Sequence, residues 1–275
     1  KTNYTLIGDV REKLKELPDK SIQMCVTSPP YYNLRNYENQ ENQLGLEKTP
    51  EEFVENMVQV FSEVHRVLRD DGTLWLNLGD SYLKDKQLGF IPQKVAIALQ
   101  EWGWVLRQDI IWAKKNCMPE SAKDRFTKNH EYIFLLSKQP KYFFNQILEP
   151  VKQVSIERAK SPMKHRTIST KGVKYDLSDN PNRVVRADGM KNKRSVWNMR
   201  TAAYKEAHFA VFPPELAETC IKAGSDDGDI VLDCFMGSGT TAMVAQQHSR
   251  KWIGVELNPE YEKLIRKRTA QRELF

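Results

Sequence analysis

A strand, a turn and the beginning of a helix follow one another in residues 231–241, which read VLDCFMGSGTT. Apolar residues lead into Asp233, Gly237 and Gly239 allow a tight turn, and Thr240 begins a segment with helical spacing. Glycines let a ligand approach the backbone, and a helix N-terminus favours a carboxylate or a phosphate. Such a unit is typical of α/β proteins with a doubly wound, mostly parallel sheet. A tight turn without a ligand explains the same glycines and remains an alternative at this point.

The next predicted strand ends in an acidic residue. Residues 252–256 read WIGVE, so Glu256 lies at the carboxyl end of that strand. An acidic side chain in this place accepts hydrogen bonds from both hydroxyls of a ribose. Together with Asp233 before the turn, it indicates a cofactor that contains adenosine. Thr240 and Thr241 stand where G-x-G-x-x-G would bring its third glycine, and this departure argues against a nicotinamide cofactor.

Strand and helix patterns alternate along the rest of the chain, on both sides of an irregular segment from residue 145 to about 205. Apolar runs predict strands over residues 4–7, 22–27, 73–78, 104–112, 132–136, 230–233 and 252–256. Stripes of helical spacing predict helices that begin near Pro50, Pro92, Pro214, Thr240 and Pro259. Thr49, Pro50 and Glu52 form a capping box at the first of these. The order predicts an α/β fold with a mostly parallel sheet.

A second motif, Thr27-Ser28-Pro29-Pro30-Tyr31, follows a predicted buried strand. The prolines fix the backbone and leave the Ser28 hydroxyl and the Pro29 carbonyl as acceptors, with the Tyr31 ring next in sequence. An amino group on a heteroaromatic ring is a poor nucleophile because its lone pair is delocalised. Two acceptors for its hydrogens, and a ring stacked on the base, favour its attack on an electrophilic methyl group. A proline-rich strand end without chemistry is the alternative.

The two motifs in this order resemble the amino-methylating DNA methyltransferases, and specifically their permuted (beta) group. In that group S-P-P-Y or D-P-P-Y precedes the target-recognition region, and D-x-F-x-G-S-G-T-T follows it. The resemblance covers nearly the whole chain, and further matches are Gly79-Asp80-Ser81, His130-Glu131-Tyr132 and His208-Phe209 with Phe212-Pro213. It implies a circularly permuted, Rossmann-like methyltransferase fold with one antiparallel edge strand, and a flipped target base. It also implies S-adenosyl-L-methionine as methyl donor, with S-adenosyl-L-homocysteine as product.

Permutation explains the order of the motifs. The chain ends soon after the ribose-binding strand, so the next strand of the sheet must come from elsewhere, and residues 4–9 fit that place. Asp9 would then lie near the adenine amino group, although a plain turn aspartate is an equal alternative.

The resemblance assigns site residues by position. The catalytic set is Ser28, Pro29, Pro30 and Tyr31. The cofactor set is Asp9, Thr27, His208, Phe209, Phe212, Asp233, Phe235, Gly237, Ser238, Gly239, Thr240, Thr241, Glu256, Leu257 and Asn258. His208, Phe209 and Phe212 are expected at the methionine end, where an aromatic face suits a sulfonium, whereas a core histidine is the alternative for His208. Cys234 replaces a proline that is common in this loop.

The target base depends on residue 28. The form S-P-P-[YF] resembles N4-cytosine enzymes, whereas D-P-P-Y or N-P-P-Y is similar to N6-adenine enzymes. We therefore expect methylation of cytosine N4 in duplex DNA, with adenine N6 as the alternative. C5-cytosine methylation is disfavoured because it needs an activated cysteine nucleophile, and no P-C context occurs. An RNA or protein-amide methyltransferase, a non-catalytic DNA-binding module and, more remotely, a nicotinamide-dependent oxidoreductase also stay open.

The net charge of +6 is unevenly distributed. Residues 151–205 contain fourteen Lys and Arg against four Asp and Glu, which gives +10 there and −4 elsewhere. A basic segment on an acidic body indicates a phosphate-rich partner, although a solvated basic loop is the alternative. We predict residues 1–145 as the catalytic half, 146–205 as an inserted target-recognition module and 206–275 as the cofactor-binding half. The expected DNA contacts are Arg35, Tyr37, Lys164, Arg166, Lys191, Lys193 and Arg194.

Composition excludes several classes of protein. A chain with 40% hydrophobic and 28% charged residues is neither collagen-like nor wholly disordered. Its four cysteines lack C-x-x-C spacing, so we expect reduced thiols and no metal. Without a long apolar run or an apolar N-terminal segment, we expect a cytoplasmic protein with no membrane partner. The expected partners are double-stranded DNA and a cognate restriction endonuclease, while monomer and homodimer both stay open.

Overall fold

Helices and strands alternate along the computed structural model, which describes residues 1–34, 43–154, 157, 167–170, 173–176, 189–201 and 212–270. The helices are α1 (Val10–Lys13), α2 (Pro50–Val67), α3 (Ile91–Trp102), α4 (Pro214–Gly224), α5 (Thr240–Gln247) and α6 (Tyr261–Ala270). The strands are β1 (Tyr4–Ile7), β2 (Ile22–Thr27), β3 (Leu68–Leu78), β4 (Val105–Lys114), β5 (His130–Ser137), β6 (Leu148–Pro150), β7 (Thr167–Thr170), β8 (Val173–Asp176), β9 (Met190–Asn192), β10 (Val196–Met199), β11 (Ile230–Asp233) and β12 (Lys251–Glu256).

Eight of the described strands form one sheet in the order β1-β12-β11-β2-β3-β5-β4-β10. The first five strands in this order run parallel to one another. β5 is antiparallel to both of its neighbours, and β10 is parallel to β4. The predicted α/β class and the mostly parallel sheet are therefore confirmed.

The antiparallel strand lies inside the sheet, whereas the family resemblance implied one at its edge. β5 follows β4 without a crossover helix, so the two strands must pair antiparallel. β5 fits between β4 and β3, and both of its sides find hydrogen-bonding partners there. β4 and β10 lie beyond it.

The first strand of the sequence lies beside the last one. β1 pairs in parallel with β12, and Ile7 stands opposite Glu256. This confirms that residues at the start of the chain complete the sheet next to the proposed ribose-binding strand. The carboxyl ends of β1, β12, β11, β2 and β3 consequently share one edge of the sheet, where an open α/β sheet binds its ligands.

The chain divides into two compact units, of which one comprises Lys1–Asn145 with Ser195–Phe275 and the other Gln146–Arg194. The second unit contains the antiparallel pairs β6 with β9 and β7 with β8. It begins at the predicted module boundary but ends at Arg194 and not at residue 205. The boundary differs because β10 belongs to the main sheet: exposed and buried residues alternate along it, and Trp197 and Met199 face the core.

The start of α2 follows from its local sequence. Thr49 Oγ1 accepts a hydrogen bond from the Glu52 backbone N–H over 3.2 Å, and Pro50 occupies the first turn. The Glu52 carboxylate accepts from the Lys48 backbone N–H over 3.0 Å. One face of the helix enters the core through Phe53, Met57, Val60, Phe61, Val64 and Val67.

Replacing Thr49 with alanine removes the side-chain acceptor for the first turn of α2. We expect Thr49→Ala to lower the free energy of unfolding by about 1 kcal/mol, whereas Thr49→Ser retains the acceptor and loses much less. Urea unfolding followed by circular dichroism measures both variants. Equal losses in the two variants would contradict the capping role.

Candidate active site

The two sequence motifs meet through a hydrogen bond between neighbouring strands. Thr27 ends β2 and Asp233 ends β11, and these strands pair in parallel. Thr27 Oγ1 donates to Asp233 Oδ1 over 2.6 Å, in a buried position. This contact joins residues that are 206 positions apart in the sequence and brings the S-P-P-Y turn beside the glycine turn.

Asp233 holds the glycine turn from below. Its carboxylate also accepts from Thr241 Oγ1 over 2.6 Å and from the Phe235 backbone N–H over 3.1 Å. Only 1% of the residue is exposed. Burial raises the pKa of Asp233 to about 6, against the opposing effect of the three hydrogen bonds. The carboxylate is therefore bound to the protein's own donors, and it shapes the turn.

The glycines of the turn have conformational and steric reasons. Gly237 and Gly239 both have positive φ, of 52° and 83°. A Cβ at Gly239 would lie 3.2 Å from Ile265 Cα, whereas a Cβ at Gly237 would meet no atom within 4 Å. The turn therefore packs against α6 at Gly239 and borders open space at Gly237.

Arg268 supports the same turn from α6, a role that sequence patterns did not reveal. The side chain is 8% exposed, and its Nη1 donates to Ser238 Oγ over 2.8 Å and to Thr240 Oγ1 over 2.9 Å. The hydroxyls of Ser238, Thr240 and Thr241 are thus turned into the protein. An arginine in the last turn of a helix carries no sequence signal that separates it from a surface residue.

Glu256 ties β12 to the glycine turn. Its Oε2 accepts from the Gly237 backbone N–H over 2.7 Å, and its Oε1 accepts from the Asn258 backbone N–H over 2.8 Å. Burial raises the pKa of the Glu256 carboxyl, while the backbone hydrogen bonds oppose this effect. Each carboxylate oxygen has a second lone pair, so acceptor capacity remains for a ligand. Leu257 and Asn258 are half-buried beside it.

Asp9 follows β1 close to Glu256 in the sheet. It caps α1 by accepting from the Arg11 backbone N–H over 2.9 Å, and it forms an ion pair with the Arg11 side chain. Burial raises the pKa of Asp9, but the hydrogen bonds to Arg11 prevail and hold it below its usual value. The capping role matches the turn-aspartate alternative, while the position also agrees with the predicted cofactor set.

The S-P-P-Y turn presents a half-buried serine and a tyrosine whose hydroxyl is bonded on both sides. Ser28 Oγ donates to Tyr31 Oη over 3.3 Å, and Tyr31 Oη donates to Glu131 Oε2 over 2.6 Å. Pro29 is buried between them in sequence. A Cβ at Gly79 would lie 2.5 Å from the Tyr31 ring, so the glycine of Gly79-Asp80-Ser81 makes room for the ring.

The neighbouring family matches have structural partners. Glu131 on β5 accepts from Asn77 Nδ2 over 3.1 Å and pairs with Lys114. Asp80 accepts from the Phe90 and Ile91 backbone N–H groups over 3.1 and 3.0 Å, which fixes the start of α3. Both acids were recognisable in the sequence only as parts of matching motifs.

The remaining predicted site residues are placed in part. Phe212 is half-buried just before α4. Lys191 pairs with Glu149 over 3.0 Å, Lys193 is half-buried and Arg194 is exposed. Outside the described residues lie His208, Phe209, Arg35, Tyr37, Lys164 and Arg166.

Two further findings concern metals and membranes. Within the described ranges, no group of three or more His, Cys, Asp or Glu residues is placed to hold a metal ion. None of the helices in the described part of the chain is long and apolar enough to cross a membrane.

The fold and these turns define a class of protein: the methyltransferases that use S-adenosyl-L-methionine. A model of the family described as DNA methylase matches residues 22–267. The Type II methyltransferase M.XycI of Xanthomonas campestris pv. cyanopsidis is 40% identical over 282 residues, which cover 92% of this chain and 83% of that protein. The chain belongs to this DNA methylase family, of the N6/N4 amino-methylating type, and its cofactor is S-adenosyl-L-methionine.

Solved structures agree with the fold. PvuII DNA methyltransferase (cytosine-N4-specific) superposes with a TM-score of 0.71 at 22% identity, over 98% of this chain and 86% of that one. A DNA modification methylase of Thermus thermophilus, solved with S-adenosyl-L-methionine, gives a TM-score of 0.64 at 27% identity, over 97% and 94% of the two chains.

The raised pKa of Asp233 predicts a pH dependence of stability. Between about pH 4 and pH 6 the folded chain holds a proton that the unfolded chain has lost, so this group makes folding less favourable as pH rises. Asp233→Asn does not titrate. We expect the free energy of unfolding of the variant, minus that of the parent, to increase over this interval.

Urea unfolding at several pH values measures this difference. Asp109→Asn, at an exposed position of β4, provides the baseline for an Asp-to-Asn change. A difference for Asp233→Asn that remains flat across the interval would argue against the raised pKa.

Proposed function

We propose that this chain transfers the methyl group of S-adenosyl-L-methionine to the exocyclic N4 of cytosine in duplex DNA, after the base is flipped out of the helix. Ser28 carries the proposal, because a serine in this turn resembles N4-cytosine enzymes. It follows β2 at the ligand-binding edge of the sheet and has the Tyr31 ring nearby. The similarity to a structure titled as cytosine-N4-specific supports the same base. Methylation of adenine N6 is the alternative within this family.

The turn provides acceptors for the amino group. In this proposal the Ser28 hydroxyl and the Pro29 carbonyl accept the two amino hydrogens, which draws the nitrogen out of conjugation and makes its lone pair available. S-adenosyl-L-methionine supplies, when bound, a methyl group made electrophilic by its sulfonium. The Tyr31 ring offers a stacking face for the flipped base. Serine is not an anion, so water takes the released proton.

The glycine turn and Glu256 fit the cofactor. The open space beside Gly237 and the N-terminus of α5 suit a ligand that carries a carboxylate. The remaining lone pairs of Glu256 suit two ribose hydroxyls. The aromatic residues Phe235 and Phe212 suit a sulfonium, and Asp9 suits the adenine amino group. We assign an indirect role, the shaping of the turn, to Thr27, Asp233, Ser238, Gly239, Thr240 and Thr241.

We also propose that the unit Gln146–Arg194 contacts the DNA. Its charge supports this role, because the excess of Lys and Arg over residues 151–205 suits a phosphate backbone. Lys191, Lys193 and Arg194 are the contacts proposed among the described residues. Arginines that read guanine in the major groove would supply sequence specificity.

The names of the relatives indicate a biological setting. M.XycI and M.SmaI of Serratia marcescens are both Type II methyltransferases. We propose that this chain likewise protects DNA within a restriction-modification system, with a cognate endonuclease as its functional partner.

The modified nucleoside tests the proposed base. We expect nuclease digestion and mass spectrometry of DNA treated with the protein to show N4-methylcytosine. Ser28→Ala removes one acceptor and should lower kcat roughly 100-fold, whereas Ser62→Ala on α2 should leave it unchanged. N6-methyladenine as the sole product, or full activity of Ser28→Ala, refutes the assignment.

The role of Glu256 is tested by cofactor affinity. Glu256→Gln still offers an acceptor to a backbone N–H but loses the charge and one acceptor oxygen, so Kd for S-adenosyl-L-methionine should rise about 10- to 100-fold. Isothermal titration calorimetry measures this constant, with Glu260→Gln at an exposed neighbouring position as the control. An unchanged Kd would remove Glu256 from the cofactor site.

A further inference from the structure

A continuous line of hydrogen bonds joins the S-P-P-Y turn to a charged group on β5. Ser28 Oγ donates to Tyr31 Oη over 3.3 Å, and Tyr31 Oη donates to Glu131 Oε2 over 2.6 Å. The same oxygen accepts from Asn77 Nδ2 over 3.1 Å, and the other oxygen pairs with Lys114. The Glu131 side chain is 13% exposed and the Asn77 residue 1% exposed, so the protein interior holds the end of the line.

The direction of these bonds decides what Ser28 does. A hydroxyl has one hydrogen and two lone pairs, and it acts as donor or acceptor. An ionised carboxylate only accepts, so Tyr31 must donate to Glu131, and the Tyr31 oxygen is left to accept the hydrogen of Ser28. The lone pairs of Ser28 then remain for an incoming amino group. A freely rotating serine would also donate to the target nitrogen and would occupy the lone pair that must attack.

We infer that Glu131 is a positioning residue for methyl transfer, which acts through Tyr31 to hold the Ser28 hydroxyl as an acceptor. The inference rests on the proposed function, because it takes the amino group as the partner of Ser28. It also gives the Tyr31 hydroxyl a task that stacking does not require. A phenylalanine offers the same ring face, and both S-P-P-Y and S-P-P-F resemble N4-cytosine enzymes.

Lys114 and Asn77 complete the arrangement. Lys114 extends from the end of β4 and Asn77 from β3, on the two sides of β5. Both bind Glu131 as donors, so the carboxylate stays oriented between three elements of the sheet and Tyr31. A purely structural ion pair between Lys114 and Glu131 is the competing explanation, and it makes no use of the Tyr31 hydroxyl.

A double-mutant cycle separates these explanations. The parent, Tyr31→Phe, Glu131→Gln and the double variant are compared by transfer of labelled methyl groups from S-adenosyl-L-methionine to unmethylated duplex DNA. We expect each single change to lower kcat about tenfold, with KM for DNA and cofactor within about twofold of the parent. In the Tyr31→Phe background, Glu131→Gln should cost less than about twofold, because its route to Ser28 is already gone.

Glu101→Gln, at an exposed position of α3, is the matched control, and thermal unfolding with cofactor calorimetry confirms that each variant is folded. The inference is overturned if Glu131→Gln lowers kcat equally in both backgrounds, or if Tyr31→Phe keeps the parent kcat. Either result leaves the proposed function intact while Ser28→Ala is inactive and the product is N4-methylcytosine. Failure of the proposed function appears instead as another modified nucleoside from the parent protein.

Discussion

The carboxylate of Asp233 is the contact on which the geometry of the site depends. It binds the Thr27 hydroxyl beside the S-P-P-Y turn, and it binds the Phe235 N–H and the Thr241 hydroxyl on either side of the glycine turn. Because the group is buried, an incomplete set of partners would be costly, so the three donors and the two turns are held together. The distance between the acceptor turn and the glycine turn is therefore fixed by one side chain.

Much of the fold followed from the sequence because its signals are local. The strand before Asp233, the glycine turn and the cap at Thr49 each depend on neighbouring residues, and the structure shows all of them. The permuted order also placed β1 beside β12. β10 was missed because four residues give too short an alternation within a basic segment, and the inward position of β5 depends on how β4 and β5 return, which no single segment specifies.

The site was predictable in its residue types but less so in their roles. Asp233, Asp80 and Asp9 carry motif signals, yet their carboxylates bind backbone or hydroxyl donors of the protein itself. Arg268 and Glu131 act through contacts between distant elements, and a sequence pattern does not show which helix or strand faces a given turn. Motif matches thus identified where the chemistry lies, and the hydrogen bonds show how the chain supports it.

The parallel pairing of β1 with β12 and of β2 with β11 has a consequence for synthesis of the chain. The ribosome produces β1 and β2 first, together with the S-P-P-Y turn, but their partners β11 and β12 emerge only near the end of translation. Until then β1 has no strand to pair with, and the cofactor turn does not exist. A nascent or prematurely terminated chain therefore has no partial activity to lose, and modifying capacity arises in a single late folding event.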